Sequence, residues 1–101
     1  MLFRSDKLKR AGAIILAKAT LGELGGGDTH GSLFGSTRNP YDLERTVGGS
    51  SGGSAASVSA NFSTVAVGQE GLASIRRPST WNSIAGMRPS AGLVSRGGVY
   101  G

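Results

Sequence analysis

The stretch that decides the fold is Gly48-Gly49-Ser50-Ser51-Gly52-Gly53-Ser54, a glycine-serine loop in the middle of the chain. An alanine-rich stretch and a short apolar run follow it, and a second serine motif, Ser74-Ile75-Arg76, comes after them. A flexible linker has a similar composition, but the succession of helix, strand and helix beyond Gly53 argues against a linker. The pattern predicts two serines held close together by a rigid scaffold, an arrangement in which a serine nucleophile works without a histidine.

The composition limits the chain to at most one small domain. It has 101 residues, no cysteine and a single histidine, His30, so disulfides and thiolate metal sites are excluded and a histidine metal site is not expected. We interpret His30 as an exposed loop residue. The 18 glycines are costly to order, and large rings are few. We therefore expect no complete hydrophobic core from these residues alone, no metal and no cofactor.

The charge and the hydropathy of the chain point away from nucleic acid and from membranes. The net charge is +5, but the basic residues are scattered and no aromatic RNA-binding motif accompanies them. We interpret them as solvated surface or as contacts with segments outside this chain. No apolar run approaches the roughly 20 residues of a membrane span. Charged residues crowd the first ten positions, so a signal peptide is rejected and a cytoplasmic location is predicted.

Short apolar runs alternate with helical patterns along the chain, which predicts an α/β architecture. Three runs are predicted to be buried strands: residues 13–17, 63–67 and 84–88. Helices are predicted at residues 5–10, 20–24, 53–62 and from 74 onward, where Pro78 is tolerated in a first turn. Residues 25–53 are predicted to be mostly loop, and a glycine-rich tail follows Arg88. A loop of that length is uncommon in a complete domain, so we expect it to pack on chain that is absent here.

Two familiar motifs fail to account for the glycine-serine loop. A phosphate-binding P-loop requires a lysine after its second glycine, and no lysine lies between Lys18 and Gly101. Residues 48–52 formally match Gly-x-Ser-x-Gly, the nucleophile elbow of α/β-hydrolases. That fold places its histidine after the serine, whereas His30 precedes it. Without any further resemblance, Ser74 is best interpreted as the N-cap of a helix, and Glu70 with Arg76 as a structural ion pair.

From about Leu8 to Gly101, the chain resembles the amidase signature family. The resemblance rests on several ordered markers at consistent spacing, which are more specific together than any one alone. They are residues 11–18 (AGAIILAK), 35–42 (GSTRNPYD), the Gly-Gly-Ser-Ser-Gly-Gly-Ser loop, 74–78 (SIRRP) and 86–92 (GMRPSAG). The resemblance implies a mixed sheet with surrounding helices, of which residues 1–101 form one part. It places the region of a catalytic lysine upstream and most of the C-terminal half beyond the chain.

The resemblance also implies a mechanism. Ser74 is the expected nucleophile, and Ser50, preceded by a cis peptide bond, is the expected bridge that relays the proton of Ser74 to the lysine. Backbone amides of the approach to Ser74, where the helix starts, are expected to bind the oxyanion. That approach is Gly71-Leu72-Ala73, where Leu72 and Ala73 stand in place of the glycines usual in the family. The residues expected to support the loop around Ser50 are Gly48, Gly49, Ser51 and Gly52.

The resemblance leaves three functions open. The first is hydrolysis of a small carboxamide through an acyl-serine intermediate, with this chain inactive when isolated because it lacks the lysine. The second is an amidotransferase subunit that frees ammonia from glutamine for a charged-tRNA partner, so that nucleic acid is met only indirectly. The third is a non-catalytic interaction fragment. The remaining segments or subunits of a parent enzyme are expected partners.

Overall fold

The structure is a computed structural model and describes residues 2–97 and 99. The end of the predicted glycine-rich tail, residues 98, 100 and 101, lies outside the described residues. The helices are α1 (Leu2–Arg10), α2 (Gly52–Ser59) and α3 (Arg76–Trp81), with a short 3-10 helix at Glu23–Gly25. The strands are β1 (His30–Gly31), β2 (Gly35–Ser36), β3 (Arg38–Asn39) and β4 (Asp42–Thr46).

The chain divides into two compact units. The larger unit, Ala19–Arg88, contains the four strands, α2 and α3. The smaller unit consists of the described parts of residues 1–18 and 89–101 and contains α1. The predicted end of the first helix is confirmed, because α1 stops at Arg10 and Gly12 takes a φ of 90° that few other residues adopt. All the residues expected to act in catalysis belong to the larger unit.

The prediction that residues 25–53 are mostly loop missed the strands in this segment, although about half of the segment lies outside helices and strands. Two antiparallel hairpins lie there: β1 pairs with β2, and β3 pairs with β4 with a shift of register between Arg38 and Asn39. Asn39 makes the second turn by accepting the amide of Tyr41 on its Oδ1 at 2.9 Å. Three of these strands are only two residues long, so their sequences carry no alternation of apolar and polar residues that could reveal them.

More of the predicted helices than of the predicted strands are present in the structure. The helix predicted at residues 53–62 is present as α2, and the helix predicted after Ser74 is present as α3, with Pro78 in its first turn. The helix predicted at residues 20–24 is wrong. Only the 3-10 helix forms there, because Leu24 takes a left-handed φ of 56° inside it.

None of the three predicted strands forms among the described residues. Ile14 is 85% exposed, Val65 81% and Met87 80%, and no strand within the described part of the chain pairs with their backbones. A buried strand needs neighbours for its amides and carbonyls as well as cover for its side chains. These segments lack regular structure and stay uncovered because the described chain supplies neither.

The interior of the larger unit is mostly polar. Val47 and Ala55 are the buried hydrophobic residues in the described chain, which confirms that these residues do not form a complete hydrophobic core. The buried polar residues are Thr29, Asn39, Ser50, Ser51, Ser79 and Asn82. Buried polar groups are costly unless they are hydrogen-bonded, so the contacts of these six residues define how the unit is held together.

Candidate active site

The serine loop, residues 47–53, runs from the end of β4 into the first two residues of α2 and is buried throughout. Gly48 has a φ of 77°, in the left-handed region that glycine populates without steric cost. The peptide bond between Gly49 and Ser50 is cis, at the position that the resemblance implies for a bridging serine. Ser50 itself is 7% exposed.

Two glycines let the serine loop approach other parts of the backbone closely. A Cβ atom at Gly49 would lie 2.5 Å from the carbonyl oxygen of Gly27, and one at Gly52 would lie 2.2 Å from Oγ1 of Thr29. Both distances are shorter than the 3.0 Å below which real Cβ contacts essentially do not occur. The loop therefore fits its surroundings only if these two positions carry no side chain.

Thr29 fills the inside of the serine loop. Its Oγ1 donates to the carbonyl of Gly48 at 2.8 Å, lies 3.2 Å from the carbonyl of Ser50, and accepts the amide of Gly52 at 2.8 Å. Its backbone amide also donates to the carbonyl of Gly48, at 3.0 Å. On the other side, the amide of Gly22 donates to the carbonyl of Ser50 at 2.8 Å. The backbone on both sides of Ser50 is thus fixed by hydrogen bonds.

Ser51 joins the serine loop to the segment that carries Ser74. Its amide donates to the carbonyl of Ser74 at 3.1 Å. Its hydroxyl donates to the carbonyl of Gln69 at 3.1 Å and accepts the amide of Gln69 at 3.0 Å. One turn further along α2, Ser54 Oγ donates to the carbonyl of Val67 at 2.8 Å. These four bonds hold residues 67–74 alongside the start of α2.

Glu70 caps the segment that enters α3. Its carboxylate accepts the amide of Ile75 at 2.8 Å and that of Arg76 at 2.9 Å, and it also binds Nε of Arg76 at 2.7 Å. The predicted ion pair between Glu70 and Arg76 is confirmed. The prediction that Ser74 caps this helix is wrong, because Ile75 occupies the N-cap position without a side-chain bond and Glu70 takes the first amides instead.

The protonation of Glu70 follows from these contacts. The Glu70 side chain has no exposed surface, and burial by itself raises the pKa of its carboxyl. The amides of Arg76 and Ile75, together with the guanidinium of Arg76, stabilise the charged form more strongly, so the pKa lies below its ordinary value of 4.5. Glu70 is therefore an ionised structural cap.

The two candidate hydroxyls and the backbone before Ser74 are not engaged by other groups. Within residues 2–97 and 99, neither Ser50 Oγ nor Ser74 Oγ makes a hydrogen bond, and the two hydroxyls do not bond to each other. In the same part of the chain, the amides of residues 71–74 donate no hydrogen bond. Gly71 and Leu72 are exposed, and Ala73 and Ser74 are half-buried. Four consecutive amides thus have no hydrogen-bond acceptor among the described residues.

Asn82 and Arg77 attach α3 to the rest of the unit. The side-chain amide of Asn82 is fully buried and donates to the carbonyls of Val47, at 2.8 Å, and Pro78, at 2.7 Å. Arg77 forms an ion pair with Asp28, and its guanidinium lies 5.2 Å from the ring centroid of Trp81. The start of the serine loop and the end of α3 are therefore linked by a buried side chain.

Thr29 and Asn82 were not singled out from the sequence. The bonds of Thr29 cross 19 to 23 residues, and the bond from Asn82 to Val47 crosses 35. No local pattern marks such a residue. The only available hint is that a threonine and an asparagine stand beside the loop and helix motifs, which is too weak to choose them from the many other polar residues.

Further features concern the single histidine, metal binding and membrane-spanning helices. His30 is exposed as expected, although it lies in β1, and its Nδ1 is 2.9 Å from Ser36 Oγ. The described residues contain no cluster of three acidic, histidine or cysteine side chains that could hold a metal. No helix in residues 2–97 is long and apolar enough to cross a membrane.

An open cavity of about 490 Å³ is lined by Asn39, Arg45, Thr46 and Trp81, and neither candidate serine lines it.

Comparison with known proteins identifies relatives of this chain. The chain is 50% identical over 95 residues to the A-type subunit of the glutamyl-tRNA(Gln) amidotransferase of Saccharolobus solfataricus, and equally to that of Carboxydothermus hydrogenoformans. In each case the match spans 93% of this chain and only 20% of the relative. Among solved structures, the corresponding subunit from Thermotoga maritima matches with a TM-score of 0.87 and 47% identity, over 91% of this chain and 21% of that protein.

These comparisons settle the fold. The solved relative has the amidase signature fold, so the predicted α/β class is confirmed, with this chain corresponding to about a fifth of that fold. The amidase family model matches residues 5–101, nearly the same range as the markers found in the sequence. The chain therefore belongs to the amidase signature family.

Proposed function

We propose that this chain is the serine-bearing segment of an amidase of the amidotransferase A type, which releases ammonia from the side-chain carboxamide of glutamine. The observation that carries the proposal is the bond from the Ser51 amide to the Ser74 carbonyl, which holds the two candidate serines on neighbouring backbone segments. The relatives at 50% identity bear the name of such a subunit, which favours this activity over hydrolysis of an unrelated small amide.

Ser74 acts as the nucleophile in this proposal. Its Oγ forms a bond to the carboxamide carbon while its proton passes to Ser50 Oγ, and Ser50 passes its own proton to a neutral lysine amine outside this chain. Collapse of the tetrahedral intermediate breaks the C–N bond, and ammonia leaves with the proton that the lysine returns. Water then hydrolyses the acyl-serine and releases glutamate. Within the described residues, neither the Ser50 nor the Ser74 hydroxyl makes a hydrogen bond, which supports these roles.

The oxyanion is bound by the backbone before Ser74. The amides of Ile75 and Arg76 are committed to Glu70, so the start of α3 itself has no amide to offer. The amides of Gly71, Leu72 and Ala73 donate no hydrogen bond within the described residues. They are the proposed donors, because preorganised backbone N–H groups are strong stabilisers of developing negative charge. Since the donors are main-chain groups, side chains at Leu72 and Ala73 do not remove them.

The partners follow from the same relatives. The remaining segments of the enzyme supply the lysine and the walls of the substrate pocket, because the cavity described above is not lined by the serines. The relatives are named as one subunit of an enzyme acting on glutamyl-tRNA(Gln), so we propose other subunits and a charged tRNA as further partners. A cytoplasmic location accompanies this proposal because aminoacylated tRNA is used there.

A hybrid enzyme tests the proposal. In the hybrid, this chain replaces the matching fifth of the Thermotoga maritima subunit. We expect the hybrid to release ammonia from glutamine and to be labelled on Ser74 by a serine-reactive phosphonate, located by mass spectrometry. Ser74→Ala should abolish both, and Ser50→Ala should slow labelling of Ser74 by at least about 100-fold, the low end of what a proton relay contributes. The isolated 101-residue chain should show no turnover.

Ser59→Ala is the matched control, because Ser59 lies in α2 and, within the described residues, its hydroxyl bonds only to the carbonyl of Ala56. It should leave turnover and labelling unchanged. Label on Ser50, Ser51 or Ser54 with Ser74 untouched would contradict the assignment. Hydrolysis of simple amides but not of glutamine would favour the general amidase. A hybrid that fails to fold, while the Thermotoga protein folds, would contradict the proposed structural equivalence.

A further inference from the structure

Thr29 takes no part in the chemical steps proposed above, although its hydroxyl binds the serine loop. It precedes β1, is 1% exposed, and lies far in sequence from both candidate serines. A threonine that only fills space would need no polar partner, and valine has nearly the same shape. Thr29 instead uses its hydroxyl, its amide and its carbonyl, the last of which accepts the amide of Thr37 at 2.9 Å.

The hydroxyl of Thr29 brackets Ser50. It has one hydrogen, directed to the Gly48 carbonyl at 2.8 Å with the Ser50 carbonyl at 3.2 Å as a longer second acceptor. Its lone pair accepts the amide of Gly52 at 2.8 Å. One oxygen atom therefore contacts the backbone two residues before Ser50, at Ser50 and two residues after it.

The surroundings leave this hydroxyl no substitute. Gly52 approaches so closely that a Cβ there would lie 2.2 Å from Thr29 Oγ1, and the amide of Gly52 donates directly to the threonine hydroxyl at 2.8 Å. If the hydroxyl is removed, the amide of Gly52 loses its acceptor in a buried site. The backbone must then shift to regain a hydrogen bond.

We propose that Thr29 is a positioning residue for Ser50, whose hydroxyl sets the distance over which the proton leaves Ser74. The inference rests on the proposed relay through Ser50. Proton transfer between positioned groups is sensitive to displacements of about 1 Å, which can cost on the order of 100-fold in rate. Thr29 does not touch the substrate, so its removal should affect the chemical step much more than binding.

The hybrid enzyme provides the test. Thr29→Val should lower kcat for ammonia release about 10- to 100-fold and leave KM within about 3-fold. Thr29→Ser keeps the hydroxyl and should restore most of the rate. Thr80→Val is the matched control, because it also replaces a threonine by valine and removes a hydroxyl that donates to the carbonyl of Arg76 at 2.9 Å, within α3. It should leave kcat unchanged.

A double-mutant cycle separates positioning from general support. If Thr29 acts through Ser50, Thr29→Val should slow phosphonate labelling of Ser74 strongly in the unmodified hybrid and hardly at all in the Ser50→Ala background. Equal slowing in both backgrounds would overturn the proposal. So would failure of both Thr29→Val and Thr29→Ala to fold, since the hydroxyl would then support the whole unit.

Failure of the proposed function has a different signature: the unmodified, folded hybrid would not be labelled on Ser74 at all. In that case the exchange rate of the Gly52 amide, measured by hydrogen exchange in the hybrid and in Thr29→Val, still tests the contact itself. We expect a rate increase of at least about 10-fold in the variant, because a buried hydrogen bond is lost. An unchanged rate would overturn the inference.

Discussion

The serine loop and the segment 63–67 lie in the same unit, and they differ in almost every contact. Residues 47–53 are buried throughout and are held by hydrogen bonds from Thr29, Gly22 and Asn82. In the segment 63–67, Val65 and Val67 are 81% and 65% exposed, and no strand pairs with them in the part of the chain that the structure describes. The serine loop, which is the polar region, is ordered by contacts within this chain. Residues 63–67, the apolar region, are expected to be covered by parts of the fold outside this chain. In this chain, hydrogen bonds order the serine loop although the described residues form no complete hydrophobic core.

The largest expected effect comes from filling the space inside the serine loop. Gly52→Ala should destabilise the hybrid by about 3 kcal/mol, because the added Cβ meets Thr29 Oγ1 at 2.2 Å and Val47 Cγ1 at 2.4 Å. Thermal unfolding of the hybrid measures the change. Gly26→Ala is the matched control, since a Cβ there would meet nothing within 4 Å. Equal stability of the two variants would show that the loop is not packed as described.

A charged residue introduced into residues 63–67 should have opposite effects in the isolated chain and in the hybrid. Val65→Lys should make the isolated chain more soluble, because Val65 is exposed there. In the hybrid it should cost about 2 kcal/mol, because the rest of the fold is expected to cover the side chain. Static light scattering of the isolated chain and thermal unfolding of the hybrid measure the two effects. Thr64→Lys should have little effect in either, and an unchanged hybrid would mean that Val65 stays uncovered.

Because the contacts of Glu70 favour its ionised carboxylate, the free energy of unfolding should decrease at acid pH. The folded protein holds the pKa of Glu70 below 4.5, so its stabilisation is fully present above that pH and is lost as the pH falls through the folded-state pKa. Glu70→Gln should cost the hybrid about 1–2 kcal/mol at pH 7. The difference from the unmodified hybrid should shrink as the pH is lowered to about 3.

Thermal unfolding at several pH values checks this, with Glu44→Gln, an exposed residue of β4, as control. A difference between Glu70→Gln and the unmodified hybrid that does not change with pH would show that Glu70 contributes only its shape and not its charge.

The smallest expected effect comes from a substitution at Asn61, which follows the end of α2 and lies in sequence between the serine loop and residues 63–67. Asn61 has a φ of 60°, which glycine adopts more easily than asparagine. Asn61→Gly should stabilise the hybrid by about 0.5 kcal/mol, and Asn61→Ala should destabilise it by about 1 kcal/mol. Chemical denaturation of the three proteins resolves the order. A reversed order would indicate that the turn after α2 rearranges in the complete fold.

The success of the sequence predictions follows the same division. The helices α2 and α3 and the position of the serine loop could be predicted because small residues, glycines and Pro78 act locally. The strands at residues 13–17, 63–67 and 84–88 could not be judged correctly, because a strand exists only with a partner. The capping of α3 by Glu70 was missed for a related reason: a carboxylate five residues ahead replaces the expected serine.

The anchors of this site share a property with a consequence for how the sequence can diverge. Thr29, Ser51, Glu70 and Asn82 bind main-chain groups of the residues they hold, namely carbonyls and amides of the serine loop, Gln69, Ile75 and Pro78. Every residue offers a main-chain carbonyl whatever its side chain, and every residue except proline offers an amide. A held residue whose side chain has room can therefore be substituted without loss of its main-chain bond, whereas Gly49, Gly52 and the few side chains that do the holding have no such freedom.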